Sequence, residues 1–393
     1  MGLYIHVPFC ATKCPYCDFN TYQGIENLFA PYLEALTSEL KLWGQFLGEP
    51  PVNTIFLGGG TPSYLPSQYL QQILETARAA FDVRPEAEIT TEANPDDLDE
   101  AKCEALLTLD INRLSIGIQS LDDNLLTLLG RRHNSAQAVE AVQVARGAGF
   151  SNVNLDLMYG LPGQSLVQWQ DTLLRTVALE PSHLSLYALT PEEGTPLHKW
   201  IQQGEIAEPD ADLAADMYGW AREVLQEAGY LHYEISNWAL PGRQARHNVG
   251  YWRNQPYLGV GPGAHSRLAD YRFWQESSPR GYIAKVRQWN DSNPRRVTCL
   301  NEDVLRSVHP LGGWEHTTPD LACSETMILG LRLLEGMDLA EASAQLDADL
   351  ETLYQTQLQE LTELGLLERD DGLVRLASSA YLIANQVFTR FVG

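Results

Sequence analysis

Positive charge is scarce in this sequence. Its 393 residues carry 27 Lys and Arg against 51 Asp and Glu, a formal net charge of −24. Such a chain repels phosphate backbones, which argues against broad nucleic-acid binding, and no block of Lys or Arg supplies a local exception. Long apolar runs are missing too, and no stretch approaches the roughly 20 residues that cross a bilayer. Met1 leads almost directly into a β-like run and Pro8, with no basic segment ahead of an apolar one. Nothing therefore points to export, and the cytoplasm is the expected compartment. Cysteine is sparse, six in all, and unevenly placed. Cys103, Cys299 and Cys323 are scattered, whereas Cys10, Cys14 and Cys17 fall within eight positions of FCATKCPYCDF. In a reducing compartment such a triplet reads as a metal-binding loop rather than as disulfides.

What is present is an ordinary globular composition, 44% apolar and 20% charged, at a length that suggests two domains. Short runs rich in apolar and β-branched residues occur at 3–9, 54–60, 88–94, 113–120, 152–161 and 183–190. Helix-period stretches separate them: Pro31–Phe46, Ser67–Phe81, Asp99–Leu109, Ser135–Gly149 and Val167–Leu179. This alternation predicts the α/β class, a parallel sheet with helices outside it, and six units fit a (β/α)6 partial barrel of the TIM type. In that architecture functional groups gather at the C-terminal ends of the strands. The cysteines follow the first run, GGGTP ends the second, EANP the third, GIQS the fourth and LDLMYGLP the fifth.

The second half is less regular. A helix-like stretch covers 210–229, followed by YEISNWA and a loop-rich region holding HNVGYW (247–252) and YLGVGPGAHS. Residues 291–320, rich in Pro, Gly, Asn and Asp, read as a linker or long loop. Two helical stretches, Glu325–Leu334 and Asp349–Leu364, precede two short strands around an Asp-Asp-Gly turn and a last helix, the order of a small winged-helix-like domain. The expected division is a core at 1–200, a covering extension at 201–290, the linker at 291–320 and the C-terminal domain at 321–393.

The spacing C-x3-C-x2-C places three thiolates on one loop. Four-cysteine zinc sites usually come as two C-x2-C pairs, and no second pair exists here. A 4Fe–4S cube held by three thiolates keeps one iron open for a substrate. The alternatives are a loop of reduced thiols or a zinc site completed by a histidine such as His6.

The triplet with Tyr16 before its last cysteine resembles the signature of the radical S-adenosylmethionine (SAM) superfamily. YIHVPFCATKCPYCDFN, GGGTP, EANP, GIQS, LDLMYGLPGQ and HNVGYW follow in order. Together they resemble the oxygen-independent coproporphyrinogen III oxidase family and, within it, the heme chaperone branch, HemW. The resemblance implies that Cys10, Cys14 and Cys17 hold a 4Fe–4S cluster whose free iron chelates the methionyl end of SAM. It further implies a SAM pocket of Tyr4, Tyr16, Gly59, Gly60, Thr61, Glu92, Gln119, Arg131 and Asp156. The glycines let backbone approach, and the carboxylates suit an ammonium or ribose hydroxyls. Arg132 competes with Arg131 for its role, and each motif also has a structural reading as a turn or an ion pair.

Two departures from the oxidases stand out. The chain has no room for their extension ahead of the first strand, and Phe19 stands where they carry a further cysteine. Both favour the chaperone branch, in which H-N-x-x-Y-W is the motif associated with heme. His247 and Tyr251 are of types that ligate heme iron, and Trp252 can cover a ring face. A structural turn is the alternative. His265 is expected near the barrel mouth, and His309 and His316 on an extended loop, solvated rather than at heme.

Three functions compete. The first is a heme chaperone with a radical SAM core, taking heme, an electron donor and acceptor hemoproteins as partners. The second is a catalytic radical SAM enzyme on a tetrapyrrole, by coproporphyrinogen decarboxylation or another modification. The third is nucleic-acid binding by the C-terminal part, which three arginines, no lysine and six acidic residues over 351–393 argue against. Peripheral membrane association and a homodimer stay open.

Overall fold

The computed structural model describes residues 1–292 and 299–392. All six predicted runs are strands: β1 (Gly2–Val7), β2 (Pro51–Gly59), β3 (Asp82–Ala93), β4 (Arg113–Gln119), β5 (Val153–Tyr159) and β6 (His183–Ala188). They pair in parallel and in chain order. The joining helices include Phe29–Leu47, Ser67–Ala80, Glu100–Thr108, Ser135–Ala148 and Leu166–Val177. Two of these start at capping boxes written in the sequence, Asn134 with Gln137 and Ser165 with Gln168.

The period of two along each strand divides the sheet into unlike faces. Leu3, Ile5, Val7, Ile55, Leu57, Leu114, Ile116, Leu155, Leu157 and Leu184 are fully buried in the core that the helices cover. Burial of each such side chain stabilises the fold by about 1.5–3 kcal/mol. The alternate positions, pointing inward, are Tyr4, His6, Glu88, Glu92, Arg113, Ser115, Asn154, Asp156, His183 and Ser185. Closed barrels of this type fill their interior with branched apolar side chains. A polar interior here leaves a chamber.

The second half widens this sheet to twelve strands. β7 (Leu231–Glu234) and β8 (Asn237–Ala239) form a hairpin antiparallel to β6. β9 (Tyr257–Val260) joins the free edge of β1 in parallel, and β10 (His265–Leu268), β11 (Tyr271–Gln275) and β12 (Leu311–His316) continue antiparallel beyond it. The partial barrel is thus a seven-stranded parallel sheet with antiparallel additions at both edges.

Two segments differ from the sequence expectation. Of the stretch 291–320 expected as linker or loop, 293–298 lie outside the described residues, and the remainder contains a helix, Glu302–Arg306, and strand β12. Its glycines serve packing: a Cβ at Gly313 would fall 2.5 Å from the indole of Trp274 on β11. HNVGYW, expected in a loop-rich region, lies in helix Arg246–Trp252. The carboxylate of Glu88 accepts the N–H groups of Arg246 and His247, each at 3.0 Å, and so caps this helix from β3. No local sequence signal announces a cap supplied from so far along the chain.

The C-terminal unit is the expected winged-helix-like fold. β13 (Met337–Asp338), β14 (Leu367–Asp370) and β15 (Leu373–Leu376) form a sheet in the order β13-β15-β14. Asp371 and Gly372 take the positive φ of the wing turn. Met327, Leu350, Leu358 and Val374 centre a separate core. Its arginines, Arg332, Arg369, Arg375 and Arg390, each pair with a glutamate, Glu234, Glu351, Glu368 and Glu360. Among the described residues no helix is long and apolar enough to cross a membrane.

Candidate functional site

The loop after β1 closes on itself. Cys10 N–H donates to Tyr22 O (2.9 Å) and Tyr22 N–H to Pro8 O (2.8 Å). The Lys13 ammonium donates across the middle to Phe19 O (3.0 Å) and Thr21 O (3.1 Å). Later elements pin it further: Leu197 N–H donates to Pro15 O (2.9 Å), and Asn20 Nδ2 to Pro262 O (3.0 Å) and Ser277 O (2.9 Å). Gly263, at φ +76°, lies so close that a Cβ would fall 2.5 Å from Asn20 Nδ2. Gly263 of YLGVGPGAHS therefore seats this loop.

Cys10, Cys14 and Cys17 are free and partly exposed on it. Each sulfur has a polar neighbour: Thr61 Oγ1 at 3.7 Å from Cys10, Arg131 Nη1 at 3.5 Å from Cys14 and Thr21 Oγ1 at 3.9 Å from Cys17. Burial pushes the thiols of Cys10 and Cys17 up, so thiolates there call for a cation. His6 does not complete a zinc site in this geometry. Its Nε2–H donates to Asn20 O (2.9 Å), so Nδ1 accepts from the Tyr4 hydroxyl (2.9 Å), and both nitrogens are used. Among the described residues no three His, Cys, Asp or Glu side chains converge on one ion. Three separated thiols, each with a donor beside it, fit an iron–sulfur cluster with one open iron.

Arg131 reaches this loop and Arg132 does not. Arg131 Nη2 donates to Gly117 O (2.7 Å) and to Asn94 Oδ1, while Asn94 Nδ2 donates to Thr61 Oγ1 (3.1 Å). Arg132 pairs instead with Asp97 at 2.9 Å. Asn94 and Gly117, which hold Arg131 here, were not among the expected pocket residues; the N of EANP and the G of GIQS were their signals. A Cβ at Gly117 would fall 2.8 Å from the amide of Gln119, which occupies a left-handed φ of 63° at the β4 bulge. Tyr16 packs beside Cys14 against the apolar cluster of Leu129 and Leu161.

Gly59 and Gly60 have a packing requirement of their own. Cβ atoms there would fall 2.4 Å from the His6 ring and 2.6 Å from Phe9 O. Glu92 accepts the Gly59 N–H at 3.0 Å, and its carboxyl is pushed up to about 8 by burial and then by Asp156. Asp156 is raised by burial too, against the hydrogen bonds it accepts from Asn154 Nδ2 (2.8 Å) and Ser115 Oγ (3.1 Å). Both carboxyls are half-buried.

A cavity of about 480 Å³ joins these strand ends to the second half. Gly59 and Glu92 line it together with Tyr4, Phe56, Tyr251, Trp252, Tyr257 and His265, and the exposed Phe19 stands in its wall. His247 does not line it. His247 lies against Gly2 and Thr54 at the opposite ends of β1 and β2, with Nδ1 2.8 Å from Thr54 Oγ1 and Nε2 2.8 Å from the Tyr251 hydroxyl. Burial, reinforced by Arg113, pushes this imidazole down to about 3. The expectation of His247 as an iron ligand thus meets a ring whose two nitrogens are occupied, while the helix presents Tyr251 and Trp252 to the cavity. His309 and His316 are exposed and lie outside the cavity lining.

Residues 4–175 match the model of the radical SAM superfamily and residues 318–383 that of the HemN C-terminal domain. The heme chaperone HemW of Mycobacterium tuberculosis (strain CDC 1551 / Oshkosh) is 36% identical over all of this chain and 95% of its own length. That of Bacillus subtilis (strain 168) is 33% identical over 99% of this chain and 98% of its own. The fold is that of coproporphyrinogen III oxidase (HemN) from Escherichia coli, a radical SAM enzyme, with TM-score 0.83 at 22% identity over 99% of this chain and 89% of that one. The chain belongs to the HemW family of the radical SAM superfamily.

Proposed function

We propose that the protein is a heme chaperone: it holds heme in the cavity beside a SAM-bound 4Fe–4S cluster and passes the intact heme to acceptor hemoproteins. The observation that carries this reading is the cavity itself, which runs from Gly59 and Glu92 to Tyr251 and Trp252 of the H-N-x-x-Y-W helix. Six Phe, Tyr and Trp side chains stand in its walls, as a planar apolar ligand requires.

Cys10, Cys14 and Cys17 would hold the cluster, which supplies an electron-accepting iron site when loaded. Glu92 would accept a hydrogen bond from the SAM amino group, Asp156 from the ribose hydroxyls with Gln119, and Arg131 would hold the carboxylate. Tyr4, Tyr16, Gly59, Gly60 and Thr61 would shape the pocket around them. Tyr251 and Trp252 would cover the heme, with His247 acting through its hydrogen bond to the Tyr251 hydroxyl. The reading includes an electron donor for the cluster and a cytoplasmic setting.

Hemin titration of the cluster-loaded protein tests it. Wild type should saturate at one heme per chain, and Tyr251→Ala/Trp252→Ala should weaken binding ten-fold or more with cluster absorbance unchanged. Unchanged hemin affinity in the double variant contradicts the cavity as the heme site.

A further inference from the structure

The inner face of the β10–β11 hairpin is unlike the rest of the cavity wall. Register sets Arg267 directly opposite Arg272 and His265 opposite Trp274. Alternation puts His265 and Arg267 on one face of β10, and both line the cavity with Arg272. Two guanidiniums side by side repel each other in the free protein, and in a chain of net charge −24 their pairing calls for an explanation.

Their internal partners do not use them up. Arg267 Nη1 donates to Asn254 O at 2.8 Å, and Arg272 Nη2 stands 3.0 Å from Glu325, whose single carboxylate faces both guanidiniums and so balances one of the two charges. The Nε of each arginine is buried without a hydrogen-bond partner. Glu325 does not line the cavity, and neither does Glu315, the exposed partner of Arg272 in register on β12. The carboxylate that does, Glu92, lies on β3, four strands along the sheet from β10. One end of the chamber therefore carries two fork-shaped cations against the one carboxylate of Glu325.

The geometry points to Arg267 and Arg272 as the site that takes the ligand's carboxylates: the cavity recognises a tetrapyrrole by its acidic side chains as well as by its apolar ring. Guanidinium forks match carboxylates in a bidentate manner, and Arg is the side chain suited to half-buried pairs of this kind. This site rests on the heme reading above and adds a selectivity to it. A tetrapyrrole with free carboxylates is held, and one with masked carboxylates is not.

The test uses hemin and its dimethyl ester, in which a methyl group masks the charge of each propionate. Both are titrated by absorbance into cluster-loaded wild type, Arg267→Gln, Arg272→Gln and the double variant. Because Arg272→Gln strips Glu325 of its partner, Arg272→Gln/Glu325→Gln is included so that no buried carboxylate is left unpaired. Wild type should prefer hemin over the diester ten-fold or more. Each single change should cut that preference several-fold, and the double variant should bind both ligands alike, with diester affinity close to that of wild type. A wild type that binds the two equally, or a preference that survives in the folded variants, overturns the arginine site and leaves the heme reading intact. If wild type binds neither, the heme reading fails and the arginine site with it.

Discussion

Glu92 gives the SAM pocket a pH signature. Its carboxyl is held at about 8 by burial and by Asp156, with Arg113 of β4 opposing, against about 4.3 for a free glutamic acid. In the protein without its cluster SAM enters as the ammonium, which binds the ionised form, so below pH 8 each binding event must release a proton. Each pH unit below 8 then costs about 1.4 kcal/mol, or ten-fold in Kd. Affinity should rise about fifty-fold from pH 6 to pH 8, where half of the carboxyl is ionised. Above about 8 the ligand's own α-amino group loses its proton, so the profile should peak there. Glu92→Gln removes the titration: its Kd should be flat below pH 8 and about ten-fold or more weaker than wild type at pH 8, the loss of one charge-assisted hydrogen bond. Asp156→Asn should move the wild-type inflection to lower pH by removing the second carboxylate. Stability supplies an independent check. A carboxyl whose folded-state pKa is raised favours the folded state most at low pH, and that contribution is lost as pH rises from about 4 to 8. Glu92→Gln should therefore raise Tm relative to wild type at pH 8 but not at pH 4. Calorimetric titrations from pH 6 to 9 decide the matter. A wild-type Kd independent of pH, or the same slope in Glu92→Gln, refutes the reasoning.

Other substitutions separate site from scaffold. Replacing Cys10, Cys14 and Cys17 together by Ala should abolish the cluster absorbance after anaerobic reconstitution and leave far-ultraviolet dichroism unchanged; retained absorbance would place the cluster elsewhere. Arg131→Ala should weaken SAM binding about ten-fold or more, whereas Arg132→Ala breaks partly buried pairs with Asp97 and Asp96 and leaves SAM affinity as it was. His247→Ala strands the hydroxyls of Thr54 and Tyr251 and should destabilise the fold by about 2–4 kcal/mol in denaturant titrations. Its heme complex should keep the Soret position of wild type, and a shifted band would show that His247 ligates iron after all.

The six-unit barrel was legible because apolar residues recur with period two in the strands and near 3.6 in the helices, and because most of the chemistry-bearing motifs sit at strand ends. Arg131 was legible from resemblance, but its separation from Arg132 needed the structure: Asp97, on another loop, claims the second guanidinium. Long-range contacts were opaque. Glu88 caps the helix of HNVGYW across more than 150 residues of chain, so Asn248 and Gly250 read as turn formers. That helix then turns His247 away from the cavity and Tyr251 into it. Gly312 and Gly313 read as loop because the indole of Trp274 that demands them lies on another strand. The hairpin pairing of Arg267 with Arg272 is a matter of register, and no motif marks it.

Chaperone and catalyst part most directly at the fate of the ligand. Hemin-loaded protein, with cluster and SAM in place under reductant, is mixed anaerobically with an apo-hemoprotein, and tetrapyrrole and SAM products are followed by mass spectrometry. The account expects intact heme to appear in the acceptor, up to the amount loaded, with the tetrapyrrole's mass unaltered. A decarboxylated or otherwise modified tetrapyrrole formed over multiple turnovers, with SAM consumed in proportion, would contradict it.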